Sequence, residues 1–195
     1  MSFVKQLLLS AMIMFFAMNS YALRINVIDR DNLNTEQSQK LDQAITALNQ
    51  VLNSVEFKNR VLTFSYQGKQ EFVQNNGMSN QQVYDFLMGG AEEYPVQSEA
   101  NQLADMRLTI YNPPRYRSQS STLAFTSVDD PYLHIYKKYY QSATVAELSN
   151  TLVHEWTHKM GFDHDYDETP QRPYSVPYGV GDIIEELVSK YLGQK

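Results

Sequence analysis

One uninterrupted stretch carries residue types that could do chemistry together: His154-Glu155-Trp156-Thr157-His158-Lys159-Met160-Gly161-Phe162-Asp163-His164. Only four histidines occur in the chain, and three of them fall here. On a helix, His154 and His158 leave the same face, slightly more than one turn apart. Two imidazole nitrogens at that spacing can grip one zinc ion, with Glu155 beside them to act on the water the ion activates. Gly161 can take the positive φ that ends a helix. The chain then turns back and His164 arrives as a third nitrogen. Three protein ligands leave one tetrahedral position open, as a catalytic zinc site requires and a closed structural site does not.

The chemistry expected of such a site is hydrolysis. Zinc acidifies water and polarises a carbonyl, while Glu155 takes the proton and delivers it to the leaving amine. A peptide amide is the expected substrate, which makes the chain a zinc-dependent endopeptidase acting on a peptide or protein. Two other classes fit the same residues. One is an exported zinc-binding protein without turnover, either a receptor or a structural protein; Glu155 argues against it, because a closed site needs no base. The other is a zinc hydrolase of a non-peptide amide, such as a cell-wall component.

These eleven residues resemble the zinc-binding consensus of the metzincin metallopeptidases. The resemblance implies one catalytic zinc held by His154, His158 and His164, with Glu155 as general base. Asp165 resembles the acidic residue that follows the third histidine in several metzincin groups, where it is structural; a solvated carboxylate among Asp163, Asp167 and Glu168 is the alternative. The chain departs from the family at its methionine turn, since no methionine follows Met160. Tyr174-Ser175-Val176-Pro177-Tyr178-Gly179 resembles the Ser-x-Met-x-Tyr turn in its serine and tyrosine. Proline stands in the methionine place, and the tyrosine comes one residue early. With that turn under the metal, Tyr178 could serve as a displaceable ligand or an oxyanion donor. The other reading is an aromatic packed on the core.

The elements that must position these groups are legible in part. Thr144 and Glu147 make a capping box for the metal helix. Leu148, Leu152 and Trp156 repeat at i, i+4 on a side away from the histidines, a stripe expected to dock on a sheet. Alternation predicts strands at Leu23–Ile28, Val61–Tyr66, Met106–Tyr111, Thr122–Thr126 and Tyr132–Tyr136. Apolar stripes predict helices over Asn34–Ser54, from the Ser79 capping box through Met88, and over Asp182–Leu192 with Ile184, Leu187, Val188 and Tyr191 inward. Residues 67–78 read as loop or hairpin, and Arg115–Ser121 as a basic, serine-rich loop. The order predicts one α/β domain over residues 23–195, with a mixed, mostly parallel sheet of about five strands, an active-site helix and a C-terminal helix. A metzincin-type zincin domain is what the resemblance implies, with Thr122–Thr126 at the edge that receives extended substrate by backbone pairing. His134 reads as a strand histidine, and Glu185 and Glu186 as a solvated face.

Residues 1–22 read as a signal peptide: Lys5 supplies the positive end, Leu7 to Met18 the apolar run, and Ser20-Tyr21-Ala22 a small-x-small cleavage site. The run is too short for a membrane span. The expected product is a soluble exported protein, periplasmic or secreted, with no stable membrane insertion and no room for a propeptide before Leu23. The chain of 195 residues carries a net charge of −6, and loss of Lys5 makes it more negative. Such a balance argues against nucleic acid and anionic membrane surfaces as partners. The absence of cysteine excludes disulfides and latency through a thiolate on the metal.

Overall fold

The computed structural model of the chain describes residues 22–92, 100–112 and 123–193. The signal peptide expected at 1–22 lies outside this range save its last residue, as does the basic loop at 115–121. Four strands, β1 (Arg24–Asp31), β2 (Leu103–Tyr111), β3 (Ala124–Phe125) and β4 (Leu133–Tyr136), form one sheet in the order β1-β2-β4-β3. The β1–β2 and β2–β4 pairs are parallel, and β3 runs antiparallel to β4 at the edge. Strand β2 is buried along most of its length: Ala104, Met106, Leu108 and Ile110 join the core, Asp105 and Thr109 on the other face are buried as well, and Leu103, Arg107 and Tyr111 are partly exposed.

Six helices accompany the sheet among the described residues: α1 (Thr35–Leu52), α2 (Val55–Thr63), α3 (Asn80–Gly89), α4 (Lys137–Ser142), α5 (Val145–Lys159) and α6 (Val176–Tyr191). Three of them start where their capping boxes stand. Asn34 and Gln37 cap α1, Ser79 and Gln82 cap α3, and Thr144 and Glu147 cap α5, each pair satisfying two backbone donors. Gly90 ends α3 at φ 60, and a Cβ there would lie 2.3 Å from the Leu103 carbonyl oxygen. A side chain at that position is therefore excluded twice over, by conformation and by space.

Several expectations need correction. The strand expected at Val61–Tyr66 is instead the last turn of α2 followed by a turn, so among the described residues the sheet has four strands rather than five. Ser54 accepts the Phe57 N–H and starts this helix, and Phe57 and Val61 are fully buried at i, i+4. A cap and one buried stripe outweigh the β-branched alternation. The hairpin expectation beyond it holds at its start: Tyr66 bridges Lys69 across Gln67 and Gly68, both at positive φ. The C-terminal helix begins at Val176, six residues before the expected Asp182, with Pro177 in its first turn. Tyr191 is half exposed rather than inward. Helix α4 carries no periodic signal and was not expected.

One hydrophobic core joins these elements. Leu148, Leu152 and Trp156 of α5 are fully buried. Helix α5 lies chiefly against α6 and α1, and β3 and β4 touch a smaller part of it. No helix among the described residues is long and apolar enough to cross a membrane.

Candidate metal centre

His154 and His158 lie in the last two turns of α5, and the chain after them is shaped to return His164. Gly161 takes φ 81. The Gly161 N–H then donates to the His158 carbonyl at 3.0 Å and the Phe162 N–H to the Thr157 carbonyl at 3.1 Å. That pair of bonds is a Schellman closure, which satisfies two terminal carbonyls and reverses the chain direction. Phe162, fully buried, packs edge-on against Phe86 at 5.8 Å between ring centres, and Asn76 donates to the Gly161 carbonyl at 3.0 Å. The reversal is thus tied down on both sides.

The three rings converge. Their centres lie 5.1 Å (154–158), 5.2 Å (154–164) and 4.9 Å (158–164) apart. One ligand atom from each falls within 4.8 Å of the other two, so the triad could hold a metal ion, and it is the only such group among the described residues. The Nε2 atoms of His154 and His164 are 3.3 Å apart. Two nitrogens bound at about 2.0–2.1 Å to one tetrahedral ion stand about 3.3–3.4 Å apart, so this separation fits such an ion. Nδ1 of His158 faces the Phe162 carbonyl at 2.8 Å and Nδ1 of His164 the Asp165 carbonyl at 3.0 Å. A proton on each Nδ1 serves those carbonyls and leaves each Nε2 lone pair free for a metal. Burial first, then the His158 and His164 charges and that of Arg172, hold His154 well below the usual histidine range. Burial also lowers His158. Neutral imidazole is the form that ligates.

Glu155 follows the first histidine and is 5% exposed. Its carboxylate makes no hydrogen bond to a described residue, and burial pushes it up to about 8, with Lys159 opposing. Tyr178 stands in the first turn of α6, not in a loop, with its ring 4.6 Å from that of His154 and 4.8 Å from that of His164. The structure therefore brings the three histidines and Tyr178 together, with Glu155 next to His154 on the same helix. Asp165 is not simply solvated. Its carboxylate accepts from Thr169 Oγ1 at 2.5 Å, Gln74 Nε2 at 2.7 Å and Gln171 Nε2 at 3.1 Å. The Thr169 bond leads in holding this carboxyl below its usual range. It ties the segment after His164 to itself and to the 66–78 loop.

Three supporting residues escaped the sequence reading. Lys159 is fully buried, and its ammonium donates to the Ser127 and Asp130 carbonyls, fixing the β3–β4 turn to the end of α5. Trp156 does more than pack: its Nε1 donates to Glu92 at 2.5 Å. Arg172 lies over the Tyr178 ring, 5.0 Å from its centre. None of these contacts follows from a spacing pattern, since even the stripe that contains Trp156 predicts its packing and not its bond to Glu92, so only the proximity of distant segments reveals them.

His134 pairs with Asp130 at 3.0 Å and stacks on Phe125, apart from the triad, as a strand histidine should. Glu186 meets Arg60 in two bonds at the surface, and Glu185 accepts from Asn150 at 2.8 Å. A cavity of about 700 Å³ opens where Asp31, Thr109, Tyr111 and His134 meet, but no triad residue, nor Glu155, lines it. The donor set, not cavity size, marks the candidate centre. Comparison with protein-family models, with curated proteins and with solved structures returns no match, so the role of the centre is argued from these residues alone.

Proposed function

We propose that the chain is an exported, metzincin-like zinc metallopeptidase that hydrolyses peptide bonds, with zinc held by His154, His158 and His164. The observation that carries this reading is the convergence of three imidazoles, on a helix whose Glu155 follows the first of them and is buried with no hydrogen bond to a described residue. Zinc, when bound, supplies Lewis-acid chemistry at neutral pH. Glu155 acts as general base toward the attacking water and then as acid toward the departing amine. A carboxyl raised toward neutrality by burial suits that double duty, since proton transfer is most efficient near the working pH. The Asp165 and Phe162 carbonyls orient the ligand rings through Nδ1 and raise their basicity. Tyr178, in ring contact with two of the ligands, offers its hydroxyl to the developing oxyanion. The edge strand β3 pairs only with β4 among the described strands, and its Phe125 and neighbouring Leu123 are exposed. An extended peptide can add to such an edge by backbone hydrogen bonds.

The test pairs metal content with turnover on residues 23–195. Zinc per chain is counted for wild type and Glu155→Ala, and both are incubated with a mixed peptide library. One zinc in each, with cleavage by wild type alone, is the expected outcome. Failure to take up zinc under metal-replete conditions refutes the metal assignment. Zinc in both without cleavage in either refutes the peptidase.

A further inference from the structure

Arg172 opens a 3₁₀ turn, Arg172–Tyr174, on the segment that follows the third histidine. Among the described residues it makes no ion pair, as is also true of Arg24 and Arg107, although Asp163, Asp165, Asp167 and Glu168 lie close by in the chain. Its hydrogen bonding is thin. Of five donors, Nη1 reaches the Tyr166 carbonyl at 3.3 Å, and Nε is buried without a partner.

Its backbone is nonetheless firmly held. The Arg172 N–H donates to the Thr169 carbonyl, and the Arg172 carbonyl accepts from the Ser175 N–H and the Ser175 hydroxyl. The Val73 N–H donates to the Tyr174 carbonyl at 2.8 Å, anchoring the turn to the neighbouring loop. The guanidinium lies 5.0 Å from the Tyr178 ring centre, and that ring touches His154 and His164. A partly exposed, under-bonded cation is therefore pre-positioned beside a centre suited to a second cation. Two like charges held near each other repel, and an entering carboxylate relieves both. A guanidinium is also the side chain whose planar fork matches a carboxylate.

We infer that Arg172 is a specificity-determining residue that receives a carboxylate of the substrate next to the metal triad. That carboxylate is either an aspartate or glutamate side chain near the scissile bond or a free C-terminal carboxylate. The inference rests on the peptidase reading and names its substrate class: peptides that present a carboxylate near the scissile bond, bound with it on the Tyr178 side of the centre.

The test uses short peptides carrying Asp, Ala or Lys at each position, every one made with a free and with an amidated C-terminus. Cleavage by zinc-loaded wild type is read as kcat/KM, and binding to zinc-loaded Glu155→Ala is read as Kd by calorimetry. The carboxylate-bearing members should bind and be cleaved about 10- to 100-fold better than the counterparts that lack it, alanine for the side chain or amide for the terminus, the worth of a charge-assisted pair. A preference that survives amidation identifies the side chain as its source, and one that amidation removes identifies the terminus. Arg172→Gln, which keeps a donor for the Tyr166 carbonyl, should erase the preference. Arg172→Glu should turn it toward the lysine peptides, a switch that a loosened turn does not produce. Cleavage without charge preference, or a preference untouched by both variants, overturns the assignment and leaves the peptidase standing. Acid-selective, Arg172-dependent binding with no cleavage does the reverse.

Discussion

Replacing Trp156 with phenylalanine tests the buried junction that ties α5 to β2. Trp156 is fully buried and donates to Glu92 at 2.5 Å, and Glu92, only 1% exposed, also accepts from the Asp105 N–H of β2 at 3.0 Å. One carboxylate thus links α5 and β2. Phenylalanine keeps most of the ring stack but removes the donor and about three heavy atoms. The lost apolar burial costs about 1–2 kcal/mol. Losing one hydrogen bond to the Glu92 carboxylate, which keeps the Asp105 N–H, costs about 1–3 kcal/mol more. The sum is about 2–5 kcal/mol, a large part of a typical domain stability. The penalty should also depend on pH. Burial, the dominant influence, raises the Glu92 carboxyl, and the Trp156 bond opposes that rise. A carboxyl raised in the folded state contributes stability that is fully present below its unfolded pKa and is lost as pH climbs through the folded one. Removing the opposing bond raises it further, so the variant loses more than wild type between pH 5 and pH 8. Urea titrations followed by far-UV circular dichroism, with chelator present, read the difference; other titrating groups are common to both proteins and largely cancel. A penalty below about 1 kcal/mol, or one equal at both pH values, refutes the argument.

Two further perturbations probe the positioning of the centre. In Gly179→Ala the new Cβ would lie 2.7 Å from Phe64 Cζ and 2.9 Å from Phe72 Cε1. These two rings are stacked 4.0 Å apart and cannot easily yield, so thermal unfolding should show a loss of about 1–3 kcal/mol; an unchanged melting temperature contradicts the packing. Asp165→Ala removes the shared acceptor of Gln74, Thr169 and Gln171 beside the third ligand. Competition with a chromophoric chelator should report zinc affinity weakened about 10- to 100-fold, as for other supports of metal ligands. Equal affinity would mean that His164 is held without this acceptor.

Much of the fold was legible because its signals are local. The capping boxes at Asn34, Ser79 and Thr144 each close within three residues, and each stands at the start of a real helix. The error at Val61–Tyr66 has the same origin. Its alternation is genuine, but the start signal lies upstream at Ser54, and the buried pair Phe57 and Val61 takes its meaning from a core assembled elsewhere. The C-terminal helix was read six residues short because Pro177, Gly179 and Gly181 look like turn residues. Proline in a first helical turn lacks a donor the helix does not need there, and both glycines lie where a Cβ would strike Phe64 or Asn150.

The sequence by itself determined the inventory of the candidate centre. His154, Glu155, His158, Gly161 and His164 act through helical spacing and one chain reversal, which are properties of neighbouring residues. Tertiary structure alone decided what surrounds them. It set Tyr178 against two of the histidines, Arg172 over Tyr178, Glu92 under Trp156, and Asp165 among its three donors. Partners separated by tens of residues meet only because the core brings their segments together. Burial then changes the chemistry of the carboxyls and imidazoles it encloses, and no spacing along the chain encodes that burial.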